Sequence, residues 1–196
     1  AMLAPITRKG EFQTFHVTYL DKGKKAEVKN SRKILPGGAT MGGAAELYPA
    51  APVMGVAEGI ETAIAAKMLF GIPTHAAISA NGMEKWDPPA IAEEIHIFAD
   101  HDMSLTGHRA AWTLASRVVI AGKRIVVHIP ENPCDWNDVL IESQSGKGQA
   151  AANREAFPKT AAVKDQIDQV FGKSKLIYSI EDGRMIGKPD YYSFNE

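Results

Sequence analysis

Three carboxylates in this chain have the type and spacing to hold a metal ion. Glu58 closes the apolar run Val53-Met54-Gly55-Val56-Ala57, and a second run, Ile95-His96-Ile97-Phe98-Ala99, closes in Asp100-His101-Asp102. In a parallel α/β sheet the carboxyl ends of the strands line the ligand crevice. Residues two apart on an extended chain point to the same side, so Asp100 and Asp102 are expected to face Glu58 while His101 turns away. Three hard oxygen donors with no soft ligand nearby suit Mg²⁺ or Mn²⁺ rather than zinc, and such ions chiefly serve phosphoryl chemistry. His101 and His108 would fit a His-Asp metallohydrolase less well, because His101 alternates away from the aspartates and His108 lies near a helix start.

The elements that must position these groups are legible from residue 52 onward. Residues 53–57, 74–78, 95–99 and 124–129 read as four strands. Helices are expected over 60–70, 88–94 and 106–121. The first has Ile60, Ala63, Ile64, Lys67 and Met68 at helical spacing, and the last has Ala111, Leu114, Ala115 and Val118 on one face. Gly71-Ile72-Pro73 ends the first and Gly122 the last. Repeated β-α units with short connections imply parallel strands and right-handed crossovers. After Asp135-Trp136-Asn137-Asp138 a short helix is expected over 139–142.

Ahead of this core, residues 12–20 are rich in β-branched and aromatic types and 21–24 supply a turn, so the front reads as a hairpin closed by 25–29. The glycine-rich stretch 37–43 reads as a flexible connector, with no strand before it and no helix after it to make it a phosphate loop. Beyond 145, helical patterns are expected around 148–157 and 161–171, then a hairpin turning at Asp182-Gly183. The division expected is a small basic β-rich lobe over 1–50, a core over 51–145, and a helical extension with a C-terminal hairpin over 146–196.

With 196 residues, 45% of them hydrophobic, the chain can bury one core and a small lobe. No apolar stretch approaches the ~20 residues of a membrane span, and the start lacks a basic region followed by an apolar segment. A cytoplasmic protein is expected. The single cysteine, Cys134, excludes an internal disulfide and a Cys₄ or Cys₂His₂ zinc site within this chain. The net charge of −1 hides an asymmetry: residues 1–33 carry eight Lys/Arg against three Asp/Glu, residues 34–157 eight against fourteen. Local positive charge can guide a polyanion, though with so few spare cations tight autonomous DNA binding is not expected. Lys25, Lys29, Arg32 and Lys33 are candidates for template or triphosphate contact, or else an ordinary basic edge blunted against aggregation. Ser79 and Asn81, on the second βα connection, face the same crevice and serve either to bind nucleotide or to cap the turn. Trp86, Trp112 and Trp136 read as packing residues.

Singly these motifs are unspecific, but in combination they are not. Glu58-Gly59-Ile60-Glu61-Thr62-Ala63, Ser79-Ala80-Asn81-Gly82-Met83, Ala99-Asp100-His101-Asp102 with Gly107 and Ala110-Ala111 following, and Asp135-Trp136-Asn137-Asp138 together resemble the Toprim primases of plasmids, phages and other mobile elements. The stretch from Gly10 through Gly42-Gly43-Ala44 resembles the small lobe that precedes the Toprim module in those proteins. The resemblance covers about residues 10–145. It implies a Toprim-like parallel sheet flanked by helices, and a DNA primase that makes RNA primers on single-stranded DNA from ribonucleoside triphosphates.

By position, Glu58 corresponds to the Toprim glutamate, with acid/base or metal-directing work, and Asp100 and Asp102 to the aspartates that hold Mg²⁺ or Mn²⁺. Asp135 and Asp138 correspond to a later acidic motif near the metals. The family's primases usually carry a zinc-binding module upstream and often a helicase downstream; neither lies in this stretch, so both are implied as partners. The later motif often follows a basic residue, where this chain has Cys134. A metal-dependent Toprim nuclease and a non-catalytic fragment that binds nucleic acid or a replication partner are the alternative readings.

Overall fold

The computed structural model describes residues 1–38 and 40–145, together with two strands at 178–181 and 184–187. In chain order the elements are β1 (Met2–Arg8), β2 (Glu11–Thr18), β3 (Leu20–Asp21), β4 (Lys24–Lys25), β5 (Arg32–Ile34), β6 (Ala44–Ala45), β7 (Val53–Ala57), α1 (Ile60–Phe70), β8 (Thr74–Ala76), α2 (Ala80–Lys85), β9 (Glu94–Phe98), α3 (Thr106–Ile120), β10 (Arg124–His128), α4 (Trp136–Gln144), β11 (Tyr178–Glu181) and β12 (Arg184–Gly187).

Ten strands form one sheet in the order β11-β12-β10-β9-β7-β8-β6-β1-β2-β5. Its centre, β10-β9-β7-β8, is parallel as expected, and both flanks are antiparallel. The register sets Ala57 beside Phe98 and His128 beside Phe98. Glu58 and the Asp100 turn therefore leave the sheet at the same edge. α3 covers one face, packing Ala110, Ala111, Leu114 and Val118 on Met54, Val56, Ile95 and Ile97. α1 covers the other, with Ala57, Ala76, Phe98 and Trp136.

Several expectations are corrected. The buried stripe of α1 is Ile60, Thr62, Ala63, Ala65 and Ala66, whereas Ile64 and Met68 are 39% and 58% exposed. Small side chains let this helix lie close to the sheet, and proximity rather than size chose the face. Within the sheet, Gly55 makes room for its strand neighbours: a Cβ there would stand 2.5 Å from Thr74 Oγ1 and 2.8 Å from the Phe98 ring. No helix forms over 88–94. The helix of that unit lies earlier, at α2, where Ser79 is a true N-cap accepting from the Gly82 N–H at 3.0 Å. Pro88-Pro89 follow outside any helix and lead into a turn in which the Ala92 N–H donates to Pro89 O at 3.0 Å, since proline removes a donor and pushes its predecessor out of helical geometry.

At the front, the partner of β2 is β1, through a turn in which Lys9 and Gly10 both have positive φ, and then β5 on its other side. The expected turn over 21–24 is present, with Leu20 opposite Lys25 and the Ala26 N–H donating to Tyr19 O at 2.8 Å, but the hairpin stops there and residues 25–29 do not pair with β2. The glycine-rich stretch is not a free connector at its end. Gly42 to Ala45 are buried, and β6 bridges β1 and β8, joining the N-terminal strands to the parallel centre. The C-terminal hairpin pairs β11 with β12, Glu181 opposite Arg184, and β12 meets β10 at Val126; its Asp-Gly turn and the expected helices at 148–157 and 161–171 lie outside the described residues. Among the described residues no helix is long and apolar enough to cross a membrane.

Candidate metal and nucleotide site

Asp100 sits two residues past the end of β9, and Ala99 before it is pinned from two sides. The Ala99 N–H donates to His128 O at 3.0 Å, and the buried Trp136 donates Nε1–H to Ala99 O at 3.2 Å. The following turn is tied to the loop after β10: the His101 N–H donates to Cys134 O at 3.0 Å and its Nδ1 to Pro130 O at 2.9 Å. His101 thus faces that loop and packs edge-on against His108 at 5.1 Å. Gly107 permits the start of α3 to lie against the turn, because a Cβ there would be 2.8 Å from Asp100 O.

Thr62, in the first turn of α1, donates its hydroxyl to Asp100 Oδ1 at 3.3 Å. Even so, burial, then the charges of Asp135 and Glu58, push the Asp100 carboxyl up from 3.8 to about 7. Glu58 is raised as well, by burial and by the charge of Asp102, against which the Ala80 backbone N–H and Arg32 favour its ionised form. Asp102 goes the other way. Burial would raise it, but Ser104 Oγ (2.7 Å), the Thr106 N–H and the Gly107 N–H (3.2 Å each) donate to its two oxygens and hold it below the usual carboxylate range. It is an anchored anion at the start of α3, where the helix's free N–H groups need one.

Asp135 and Asp138 form a capping box on α4. Asp135 Oδ1 accepts the Asp138 N–H at 2.9 Å and Asp138 Oδ2 accepts the Asp135 N–H at 3.4 Å. Asp138 is exposed, whereas Asp135 is half-buried and is the carboxylate that most raises Asp100. Glu58, Asp100, Asp102 and Asp135 therefore share one field. Among the described residues no three such side chains are drawn close enough to enclose a metal ion. The donor set nevertheless fits a hard divalent cation: every candidate atom is a carboxylate oxygen, and a cation would offset the like charge that, after burial, raises the Glu58 and Asp100 carboxyls.

Residues 53–146 match the family model of the Toprim domain. This segment is a Toprim domain. Toprim domains in general bind divalent metal. No curated protein sequence matches the chain. Among solved structures, a DNA primase domain from Pseudomonas aeruginosa superimposes with a TM-score of 0.52 at 17% identity, over 86% of this chain and 55% of that one. The DnaG catalytic core does so at 0.52 and 15%, over 76% and 51%. The DnaG primase catalytic domain bound to ssDNA gives 0.52 and 14%, over 84% and 50%. At these identities the likeness is one of fold, and the chain spans about half the length of the primase structures it matches.

Around the Toprim carboxylates the other candidates fall into two groups. Arg32 reaches the site: its guanidinium pairs with Glu61 on α1 at 2.5 Å and its charge is felt at Glu58. Ser79 caps α2, and Asn81 is exposed in the same turn, next to the Ala80 N–H that faces Glu58. Lys33 instead lies over the Tyr19 ring, 5.0 Å from its centroid. Lys25 and Lys29 are exposed, and among the described residues neither pairs with a site carboxylate. Trp86, Trp112 and Trp136 are buried, at 2%, 5% and 6% exposure, as packing residues.

Sequence reasoning passed over Thr62, Glu61 as the partner of Arg32, and Trp136 as the anchor of Ala99. Only Thr62 left a trace, a polar residue on the buried stripe of α1.

Proposed function

We propose that this chain carries out metal-dependent nucleotidyl transfer as a DNA-directed RNA polymerase of the primase type, laying RNA primers on single-stranded DNA in the replication of a plasmid, phage or other mobile element. The observation that carries the reading is the shared field of Glu58, Asp100 and Asp102 at one sheet edge, in which two carboxyls are raised and the third is anchored low. Carboxylates crowded in this way are costly to a fold and become useful once a cation joins them.

Glu58, Asp100 and Asp102 would hold Mg²⁺ or Mn²⁺, which when bound neutralises triphosphate charge and acidifies an attacking hydroxyl. The chain's own groups do the rest. Thr62 orients Asp100, and the capped turn fixes Asp102. Glu58 takes up a proton more readily than an ordinary glutamate and is suited to accept one from the primer's 3′-hydroxyl. Arg32 presents a planar fork to phosphate, with Lys25, Lys29 and Lys33 guiding the template strand by charge and Ser79 and Asn81 beside the nucleotide. Asp135, next to Asp100, supports the nucleotide-borne charge, and Asp138 holds the turn that carries it.

A helicase and a zinc-binding module are the partners this reading implies. The test is primer synthesis from ribonucleoside triphosphates on single-stranded DNA with Mg²⁺ or Mn²⁺. Asp102→Asn should lower it by orders of magnitude at nearly unchanged Tm.

One feature favours a second reading, a Toprim nuclease. Cys134 precedes Asp135, and burial with the charges of Asp138 and Glu142 pushes its thiol up to about 11, so it stays neutral and offers phosphate no cation. Metal-dependent cleavage of DNA without added nucleotide would establish that reading. Neither primer synthesis nor cleavage with Mg²⁺ or Mn²⁺ present would leave a non-catalytic fragment that binds nucleic acid or a replication partner.

A further inference from the structure

We propose that the crevice between the N-terminal strands and the turn after β8 is a nucleobase site, and that the Asn81 amide reads the edge of the base. The inference rests on the nucleotidyl-transfer reading above and says where the nucleotide's base sits.

The crevice holds about 180 Å³ and lies between Ile6, Ile34 and Met41 on the N-terminal side and Ile78, Ser79 and Asn81 on the other. Pockets that take a whole drug-sized ligand run to roughly 300–1,000 Å³, so this one has room for a planar heterocycle and little else. Apolar walls suit the two faces of a ring, and a methionine adapts its shape to what lies against it. Asn81 supplies a paired donor and acceptor, the pattern that matches the N6–H and N7 of adenine.

Position ties the crevice to the carboxylates. Ala80, between Ser79 and Asn81, directs its N–H at Glu58. On the opposite wall Ile34 shares a strand face with Arg32, two residues earlier, whose guanidinium lies on Glu61 beside Glu58. A base in the crevice therefore leaves its sugar and phosphates next to that rim.

The turn itself is built under strain. Ile78 has φ +72, a region a β-branched residue avoids, and holding one there costs on the order of 1–3 kcal/mol. Its surroundings enforce it: the Ala77 N–H donates to Ala57 O at 2.8 Å, Ser79 Oγ accepts from Gly82, and Gly82 lies so close that a Cβ would be 2.1 Å from Ala77 O. The same left-handed step puts Ile78 on the crevice wall and the Ala80 N–H toward Glu58, which gives the strain a use.

The test is calorimetric titration of the four ribonucleoside triphosphates and of inorganic triphosphate, with Mg²⁺ and no template, into wild type, Asn81→Ala and Met41→Ala. Both side chains are exposed, so folding should survive. ATP should bind wild type more tightly than CTP or UTP. Asn81→Ala should lose that preference, weakening ATP roughly tenfold while inorganic triphosphate is unaffected, and Met41→Ala should weaken all four nucleotides. Inorganic triphosphate binding as tightly as the nucleotides, or nucleotide affinities unchanged in both variants, overturns the base site and leaves the primase reading standing. Failure of wild type to bind any of the five, together with no primer synthesis, would sink the primase reading itself.

Discussion

Asp100→Asn separates the stability of the fold from the demands of the site. The carboxyl titrates near 7 in the folded protein and at 3.8 by ordinary model-peptide standards. Between those values the folded chain keeps a proton that the unfolded chain has lost, so stability falls as pH rises. The contribution is fully present below about pH 4 and gone above about pH 7. At about 1.4 kcal/mol per pH unit the fall amounts to at most about 4 kcal/mol, and water penetration and relaxation around a half-buried group reduce it to about 2 kcal/mol.

Asparagine is neutral throughout and keeps an oxygen for the Thr62 hydroxyl. In EDTA the variant should therefore match wild type at pH 4 and exceed it at pH 8, by about 4–8 °C in Tm for a domain of this size. Added Mn²⁺ at pH 8 should raise the wild-type Tm and move the variant's much less, because binding to the folded state stabilises it by mass action. Melting curves by circular dichroism over pH 4–8, with and without metal, decide the matter. A variant less stable than wild type at pH 8 in EDTA, or a difference that does not change with pH, would refute the assignment of repulsion and burial as the cause.

Asp135→Asn should melt close to wild type, since asparagine caps helices nearly as well as aspartate, yet fail at nucleotidyl transfer; normal primer synthesis by that variant would remove Asp135 from the site. Asp138→Asn should cost at most about 1 kcal/mol in urea unfolding and work normally once folded, so loss of activity without loss of stability would contradict its structural role. Neutralising Lys25, Lys29, Arg32 and Lys33 together should flatten the salt dependence of single-strand binding, by about 0.7 in slope for each phosphate that no longer meets a cation, measured by fluorescence anisotropy. An unchanged slope would leave these cations as plain surface. Gly107→Ala should disturb the Asp100 turn, because its Cβ would sit 2.8 Å from Asp100 O. Activity and Tm both at the wild-type level would show that α3 can shift away without consequence.

What could be read along the chain was whatever a local period or a local chemical signal encodes. The four parallel strands and the buried face of α3 rest on patterns that repeat over a few residues, and each has the outcome its pattern implies; α4, expected over 139–142, instead starts at Trp136 with Asp135 as its cap, because the Asp135 side chain accepts from the Asp138 N–H. Pairing between distant segments leaves no such mark. That β1 rather than residues 25–29 pairs with β2, and that two buried alanines of β6 join the N-terminal strands to the centre, depend on partners many residues away.

The same holds within the site. Glu58, Asp100 and Asp102 were visible as acids, but a carboxyl's proton affinity is set by what surrounds it. Only the folded chain could make one of them a hydrogen-bonded anchor and another an acid near 7. Thr62 and Glu61 looked like ordinary first-turn residues of a helix until α1, lying close on its small side chains, brought one against Asp100 and the other against Arg32. Local sequence determined which chemical groups stand at the sheet edge, and tertiary packing, by controlling burial and distance, decided how each one behaves.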